Sequence, residues 1–356
     1  MNNWFAKAFN TSILEKNRMA WVDYLRGIAI LLVVYRHVLL GLESSHLAIP
    51  PSLMTANMIF FSFRMPLFFI ISGIFINGSI SRRPLNKLIY TKFENLLYPY
   101  LVWSFIQITV QLAMSTYTNT QRSFKDYSYI LYQPRALDQF WYLPALFNAT
   151  LIYLLVKVKL KAPQWSQLLL GLGLYFLAPS VNRYSMLSDW MEFYIFFALG
   201  DAISDLFFHQ RSQSFLTKPL TLLASIPFFV AAQMYYLHFH GDVKPVEFLL
   251  IAIIGCFTMF ALAFRLQTWN ILRFLRVLGF HSLFIYVMHV LVAAFVRAIL
   301  MRYAGVHDPV LLLACGIITG VIVPVVVYNL LIKDNILWFL FYLKRPEKYK
   351  KTPAVT

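Results

Sequence analysis

The sequence predicts an all-α fold, a polytopic membrane helical bundle with about ten transmembrane helices and both termini in the cytoplasm. Of the 356 residues, 60% are hydrophobic and only 13% are charged. The mean hydropathy of +0.64 lies well above that of soluble globular domains. The apolar runs have the length of about 20 residues that a spanning helix needs. They contain Gly and Pro and lack the alternation over about ten residues that is typical of a transmembrane barrel.

The domain organisation follows from where polar residues interrupt these runs. Residues 1–20 combine large apolar side chains with Lys7, Lys16 and Arg18, which predicts a cytoplasmic amphipathic segment at the membrane surface. Residues 21–335 form one transmembrane domain, and 336–356 form a basic cytoplasmic tail. The expected spans cover residues 24–42, 53–77, 88–115, 139–156, 166–180, 190–208, 219–238, 245–264, 278–301 and 309–332. The fifth span is short and glycine-rich, so it is either tilted or partial.

The orientation follows from the distribution of Lys and Arg in the connections. Twenty-one lie on the side of the N-terminus and six on the opposite side. The side richer in Lys and Arg is the cytoplasmic one. We therefore expect a multi-pass protein of the cell (plasma or inner) membrane, surrounded by membrane lipids. The net charge is +16, but the Lys and Arg residues lie in short connections between apolar runs, where they set this orientation. No nucleic-acid partner is therefore expected.

The cysteines predict neither a disulfide framework nor a metal site. Cys256 and Cys315 are the only two in the sequence, and each lies within an apolar run. Two buried thiols far apart in the chain do not form a metal-binding pattern. We expect no metal.

The first apolar run, WVDYLRGIAILLVVYRHVLL over residues 21–40, contains Arg26, Arg36 and His37. Hydrocarbon penalises such side chains unless they face a protein interior or a wet cavity. Arg26 and His37 are eleven residues apart, which places them on one helix face about 16 Å apart along the axis. This face is either functional or a structural pair bonded to carbonyl groups of a neighbouring helix.

Further cations follow the first span. Arg64 lies mid-membrane, two residues before Pro66, in a run that Pro66 bends. Arg64 meets either an anion or a neighbouring helix. A basic connection then brings Arg82, Arg83 and Lys92 to the cytoplasmic surface. An anion could dock there.

Polar and aromatic residues of later spans are ambiguous when taken alone. Trp141 stands at the outer mouth of the fourth span, where a membrane-belt aromatic is the general expectation. Tyr286 and His289 lie in the ninth span, with His289 near mid-membrane. His289 is either functional or a core histidine that Ser282 and Tyr286 satisfy.

Four stretches, WVDYLRGIAILLVVYRHV, FRMPLFFIISGIF, FWYLP and LGFHSLFIYVMH, resemble the membrane-bound O-acyltransferases of the acyltransferase 3 family, which includes fucose 4-O-acetylase-like proteins. The resemblance extends along the whole chain. It implies transfer of an acyl group, usually acetyl from cytoplasmic acetyl-CoA, to a hydroxyl of a cell-surface or lipid-linked saccharide. Acyl-CoA and a saccharide acceptor are therefore the expected partners.

The family's Arg and His of the first span match Arg26 and His37. The resemblance implies a catalytic role for both, with His37 as the base or transient acyl carrier. Arg26 would also lie near the thioester of the donor, and Arg82, Arg83 and Lys92 would bind its nucleotide. The residues expected to bind the acceptor or to support the site are Arg64, Trp141, Tyr286 and His289.

The chain departs from the family pattern at two places. Members often carry His before MPLFF, where this chain has Arg64. Two Arg that often precede a Pro-Tyr pair are replaced here by Lys92 and Asn95.

A transporter or exporter of lipid-linked sugar or another small substrate is the alternative function. Paired broken helices in two corresponding halves would favour this alternative, but the sequence shows no convincing internal repeat.

Overall fold

The computed structural model describes residues 3–15, 18–115, 122–333 and 335–345, so the predicted basic tail lies outside the described residues from 346 onward. Every regular element within these residues is a helix, which confirms the all-α bundle. The α-helices are α1 Asn3–Phe9, α2 Ala20–Glu43, α3 Pro51–Ile59, α4 Phe61–Ile74, α5 Ile76–Ile80, α6 Leu85–Lys92, α7 Tyr98–Ala113, α8 Tyr129–Tyr132, α9 Tyr142–Leu154, α10 Gln164–Leu177, α11 Ser185–Ala202, α12 Ser204–Phe208, α13 Gln210–Thr217, α14 Pro219–His238, α15 Pro245–Trp269, α16 Phe274–Phe280, α17 Ser282–Tyr303 and α18 Pro309–Val327. Short 3₁₀- or π-helical turns cover Thr11–Leu14, Phe93–Leu97, Phe124–Ser128, Pro134–Trp141, Leu155–Lys159, Ala178–Val181, Tyr328–Ile332 and Trp338–Leu340.

Eight helical segments in the described part of the chain are long and apolar enough to cross a membrane. They correspond to eight of the ten expected spans. They cover Ala20–Glu43, Pro51–Ile74, Leu85–Ala113, Pro134–Lys159, Pro219–His238, Pro245–Trp269, Ser282–Tyr303 and Pro309–Ile332. The protein is therefore a multi-pass membrane protein, and the count of ten spans stays a prediction.

The two remaining predicted spans correspond to α10 and α11. Helix α10 has only 14 residues, fewer than a span requires. Helix α11 contains Asp189, Glu192 and Asp201, yet it packs against α4, α9 and α10 within the bundle. Asp189 pairs with Arg135, and Asp201 accepts from Lys157 at 2.6 Å. Because these carboxylates have partners, a helix of the bundle interior can carry them.

Helix α2 lies at the centre of the bundle, in contact with α4, α15, α16, α17 and α18. Two glycines bring α2 and α16 into backbone contact. A Cβ atom on Gly27 would lie 2.1 Å from the carbonyl oxygen of Leu275, and one on Gly279 would lie 1.8 Å from that of Asp23. Small residues allow this approach between membrane helices. The pair fixes the N-terminal half of α2.

Helix α18 holds the other half of α2 through a second pair of small residues. A Cβ atom on Gly316 would lie 2.5 Å from Val38 Cγ1, and one on Gly320 would lie 3.3 Å from Val34 Cγ1. The two glycines are four residues apart, so they lie on one face of α18. The spacing is that of the small-residue motif found between membrane helices. The segment of α2 that carries His37 is therefore fixed by close packing.

The N-terminal segment is helical over α1 and Thr11–Leu14. Trp4 is 60% exposed, whereas Ala8 and Ile13 are buried. Asn329 Nδ2 donates to the carbonyl oxygen of Ala8 at 3.0 Å. One side of this segment therefore packs on the bundle while the other side faces outward, as in an amphipathic segment.

Candidate functional site

Two cavities lie along α2. The first, named here the Arg26 cavity, has a volume of about 450 Å³ and is lined by Arg26, Arg82, Arg83, Lys92 and Tyr286 among others. The second, the His37 cavity, has a volume of about 830 Å³, and its wall includes His37, Arg36, Arg64, Trp141, Tyr286 and Arg297. Both volumes lie within the range of small-molecule sites. The structure thus assigns each end of the predicted polar face of α2 to a different cavity.

The Arg26 cavity brings together the four cations that the sequence singled out near the cytoplasmic surface. Arg26 and Lys92 are partly buried in its wall, whereas Arg82 and Arg83 are exposed. No Asp or Glu is among the described residues that line it. Lys92 ends α6 immediately before the π-helical turn Phe93–Leu97, a kind of turn that is frequent at functional sites. This cavity is suited to an anionic ligand.

His37 is partly exposed in the wall of its cavity. It makes no hydrogen bond with the described residues, so both ring nitrogens are free to bind a ligand, and the one without a proton can accept one. Arg36 precedes it in α2, and Arg64 of α4 lies in the same wall. His37 and Arg26, predicted to share a face, are therefore not in one cavity.

His289 of α17 contacts His37. The ring centroids are 5.2 Å apart, and the ring planes are inclined by 63°. His289 Nδ1 lies 3.0 Å from the carbonyl oxygen of Ile285 and 2.8 Å from that of Tyr286. Because carbonyl oxygens only accept hydrogen bonds, we assign a proton to Nδ1. Nε2 is buried and has no hydrogen-bond partner in the described part of the chain.

The partners of His289 are therefore backbone carbonyl groups and not the side chains of Ser282 and Tyr286. Its Nδ1 is satisfied as in a core histidine, but its Nε2 is not. Buried polar atoms without a partner are rare in native proteins, and each calls for an explanation. Because the rings of His37 and His289 are in contact, we consider the two histidines together as one part of the site.

Tyr286 connects the two cavities, because its side chain lies in the wall of both. It is buried, and its ring centroid is 5.5 Å from that of Tyr142, which lines the Arg26 cavity. Tyr286 precedes His289 by three residues, so both side chains lie on the same face of α17. An aromatic pair therefore stands between the cationic residues of one cavity and the histidine pair of the other.

Trp141 lies in the wall of the His37 cavity rather than in a belt at the lipid surface. The guanidinium carbon of Arg135 is 4.8 Å from its ring centroid, a cation–π distance. Arg135 also pairs with Asp189 and with Glu192 at 3.1 Å. The FWYLP stretch thus contributes to the site through packing of Trp141 on a paired arginine.

Several site residues were not assigned a role from the sequence. Arg36 and Arg297 could have been recognised from the sequence, because each is an arginine within an apolar run. Asp138 lies two residues before the first residue of FWYLP and adopts a positive φ of 58°, a conformation that costs a non-glycine residue about 1–3 kcal/mol. It accepts hydrogen bonds from Gln107 Nε2 at 3.1 Å and from Arg122 at 3.3 Å. Nothing in the sequence around Arg135 pointed to the site.

A bundle of apolar helices with two cavities whose walls contain arginine, lysine and histidine defines a multi-pass membrane protein with an internal site. The model of the acyltransferase 3 family, described as an acyltransferase domain, matches residues 19–329. The chain belongs to this family and is a membrane acyltransferase, as the four sequence stretches indicated. Neither a curated protein nor a solved structure matches the chain significantly.

Proposed function

We propose that this protein is an O-acyltransferase of the cell membrane. It moves an acetyl group from acetyl-CoA on the cytoplasmic side to a hydroxyl of a cell-surface or lipid-linked saccharide on the other side. The observation that carries this proposal is the pair of cavities along α2, one rich in cations and one with His37 in its wall, which share Tyr286.

The donor occupies the Arg26 cavity in this proposal. Coenzyme A carries several phosphate charges, which arginine binds through paired hydrogen bonds. The exposed Arg82 and Arg83 are placed to meet its nucleotide, and the partly buried Arg26 and Lys92 lie deeper. The acyl arm then extends toward Tyr286 and the His37 cavity. The axial separation of Arg26 and His37 is about 16 Å.

His37 is the base in the transfer step. Its unpaired imidazole nitrogen takes the proton of the acceptor hydroxyl while the hydroxyl oxygen attacks the thioester carbonyl carbon. A C–O ester bond forms, and the C–S bond breaks with its electron pair on sulfur. The imidazolium then returns the proton to sulfur, which leaves coenzyme A as the free thiol.

A covalent route uses the same residues. A nitrogen of His37 attacks the thioester carbonyl carbon, the C–S bond breaks, and the proton that His37 loses reaches the sulfur, so coenzyme A leaves as the free thiol. The oxygen of the acceptor hydroxyl then attacks the acetyl-imidazole, the C–N bond breaks, and the hydroxyl proton returns to His37. His289 Nε2, which is unpaired and belongs to the contacting ring, is available to take the proton of His37. Mass measurement of the intact protein after reaction with acetyl-CoA, without acceptor, separates the routes, because only the covalent one leaves an acetyl adduct on His37.

The function itself is tested by mass analysis of surface glycans from cells with and without this protein. We expect acetyl groups that are present only with the protein and that mild alkali removes, since alkali cleaves esters and leaves N-acetyl amides. Identical acetyl content in both cells would contradict the proposal. A change in the amount of surface glycan without a change in its acetyl content would instead support a transporter.

A further inference from the structure

The His37 cavity contains a surplus of positive charge. Arg36, Arg64 and Arg297 line it, and none of them has a carboxylate within 4 Å in the described residues. The two carboxylates in its wall already have cationic partners. Glu192 pairs with Arg135, and Asp138 pairs with Arg122. Among the described residues, these three arginines therefore have no counter-charge.

The three arginines come from three helices and line the same cavity as His37. The guanidinium carbons of Arg36 and Arg64 lie 5.2 and 5.8 Å from the centroid of the Phe61 ring, so they are neighbours. Arg297 of α17 reaches α2 at Gly41, where a Cβ atom would lie 2.3 Å from Arg297 Nη1. Gly41 is four residues beyond His37, which is one helical turn.

Such an arrangement is costly without a ligand. Arg64 is only 3% exposed, and its guanidinium group donates a hydrogen bond to the carbonyl oxygen of Leu32 at 3.3 Å. Buried charges need a compensating partner, and like charges in a low-dielectric interior repel one another. A carbonyl group supplies one hydrogen bond but no counter-charge. An anion that binds between the guanidinium groups removes both penalties.

We propose, building on the function proposed above, that the acceptor carries an anionic group that Arg36, Arg64 and Arg297 bind. This group is either the phosphate of a lipid carrier or the carboxylate of an acidic sugar, and its binding holds the acceptor hydroxyl beside His37. Phe61 and Phe295, which line the cavity, are 38% and 56% exposed. Their exposed rings offer an apolar surface against which a lipid chain can pack.

Binding of four probes to the protein in nanodiscs tests this inference. Farnesyl phosphate is compared with farnesol, and trigalacturonate with a neutral galactose trisaccharide. We expect at least one anionic probe to bind roughly tenfold to a hundredfold more tightly than its neutral match, the range for hydrogen bonds to charged groups. Preference for farnesyl phosphate identifies a lipid carrier, and preference for trigalacturonate identifies an acidic sugar. Equal binding of anionic and neutral probes in both pairs would overturn the inference.

Variants assign the binding to the three arginines. Arg297→Gln should remove most of the preference for the anion, and Arg297→Lys, which keeps the charge, should retain part of it. Arg183→Gln is the matched control, because Arg183 is exposed and does not line the cavity. Arg64 is buried, so Arg64→Gln is compared only at equal thermal stability. An unchanged preference in Arg297→Gln and in Arg36→Gln would refute the assignment.

Binding of acetyl-CoA by the same variants separates this inference from the proposed function. We expect Arg297→Gln to bind acetyl-CoA as the unmodified protein does, because Arg297 does not line the Arg26 cavity. If the protein bound anionic probes but not acetyl-CoA, the proposed function would fail and the anion site would stand. If it bound acetyl-CoA and acetylated a neutral glycan without preference for anions, only the present inference would fail.

Discussion

His37 is the residue on which the proposed chemistry depends. In His37→Gln, the side chain keeps its polarity and hydrogen bonding but neither takes up a proton at neutral pH nor carries an acyl group. General-base catalysis typically contributes a factor of about 10² to 10⁴ to the rate, so we expect the rate of acetyl transfer to fall by about 10²-fold or more. The measurement is acetyl transfer to surface glycan at equal expression. His307→Gln, at an exposed position outside both cavities, should leave transfer unchanged.

Retention of transfer within a few-fold in His37→Gln would refute the assignment to His37. His289 would then be the residue to examine, because its ring is the one in contact and its Nε2 has no partner in the described residues.

Arg26 should affect the donor rather than the acceptor. Loss of one charge-assisted contact in Arg26→Gln is expected to weaken acetyl-CoA binding roughly tenfold or more. Binding should also weaken with salt, which screens charges over about 10 Å at 0.1 M. Equilibrium binding of labelled acetyl-CoA measures both effects. Lys87→Gln is the control, because Lys87 is exposed on the same basic connection but does not line the cavity. Equal affinities of Arg26→Gln and the unmodified protein would exclude Arg26 as a donor ligand.

At the scale of the elements, the site depends on how closely α16 and α18 approach α2. Gly279→Ala would place Cβ 1.8 Å from the backbone carbonyl oxygen of Asp23, so the two helices must separate. Overpacking of this kind costs about 1–3 kcal/mol. We expect a lower midpoint of thermal unfolding in detergent, followed by fluorescence size-exclusion chromatography. Acetyl transfer should decline too, because α2 carries both His37 and Arg26.

Gly173→Ala is the matched control for this element. It lies in α10 with no atom within 4 Å of the added Cβ, and alanine favours a helix by about 1 kcal/mol over glycine. Its unfolding midpoint should therefore be unchanged or higher. Equal midpoints for the two alanine variants would show that the contact between α2 and α16 tolerates a methyl group.

At the scale of the whole molecule, the proposed reaction requires the two cavities to open toward opposite sides of the membrane. In a background with Cys256→Ala and Cys315→Ala, a membrane-impermeant maleimide should label Ser44→Cys from outside intact cells. It should label Arg83→Cys only after the cells are opened. Labelling of Arg83→Cys from outside, together with protection of Ser44→Cys, would invert the topology and place the donor cavity on the wrong side.

The same assay determines whether α10 crosses the membrane. If the bundle has ten spans, Lys159→Cys and Ser180→Cys, which flank α10, should be labelled from opposite sides. Labelling of both from one side would leave α10 as a partial span. Helix α11 would then also not cross the membrane, and the bundle would have only the eight apolar spans.

The bundle and most of its helices were predictable from the sequence because hydrocarbon imposes a strong, local constraint. A spanning helix must satisfy its own backbone and be apolar over about 20 residues, and eight segments of the described chain meet both conditions. Helix α11 is less apolar than these segments because it contains Asp189, Glu192 and Asp201, and the charges of these residues are paired inside the bundle. Because the cations that pair with these carboxylates lie outside α11, the sequence of α11 alone does not reveal the pairing.

The sequence singled out several residues of the site for the same reason, but it did not show which of them lie together. Arg26, His37, Arg64 and His289 each stood out as a polar side chain in an apolar run, since burial in hydrocarbon is costly. The sequence alone also determined that Arg26 and His37 share a face of α2. Only the tertiary structure decided that they line different cavities, that His289 contacts His37, and that Arg297 lines the same cavity as Arg36 and Arg64. Contacts between helices depend on which faces pack and how closely, and small residues such as Gly41 and Gly279 set those distances only once their partner helices are in place.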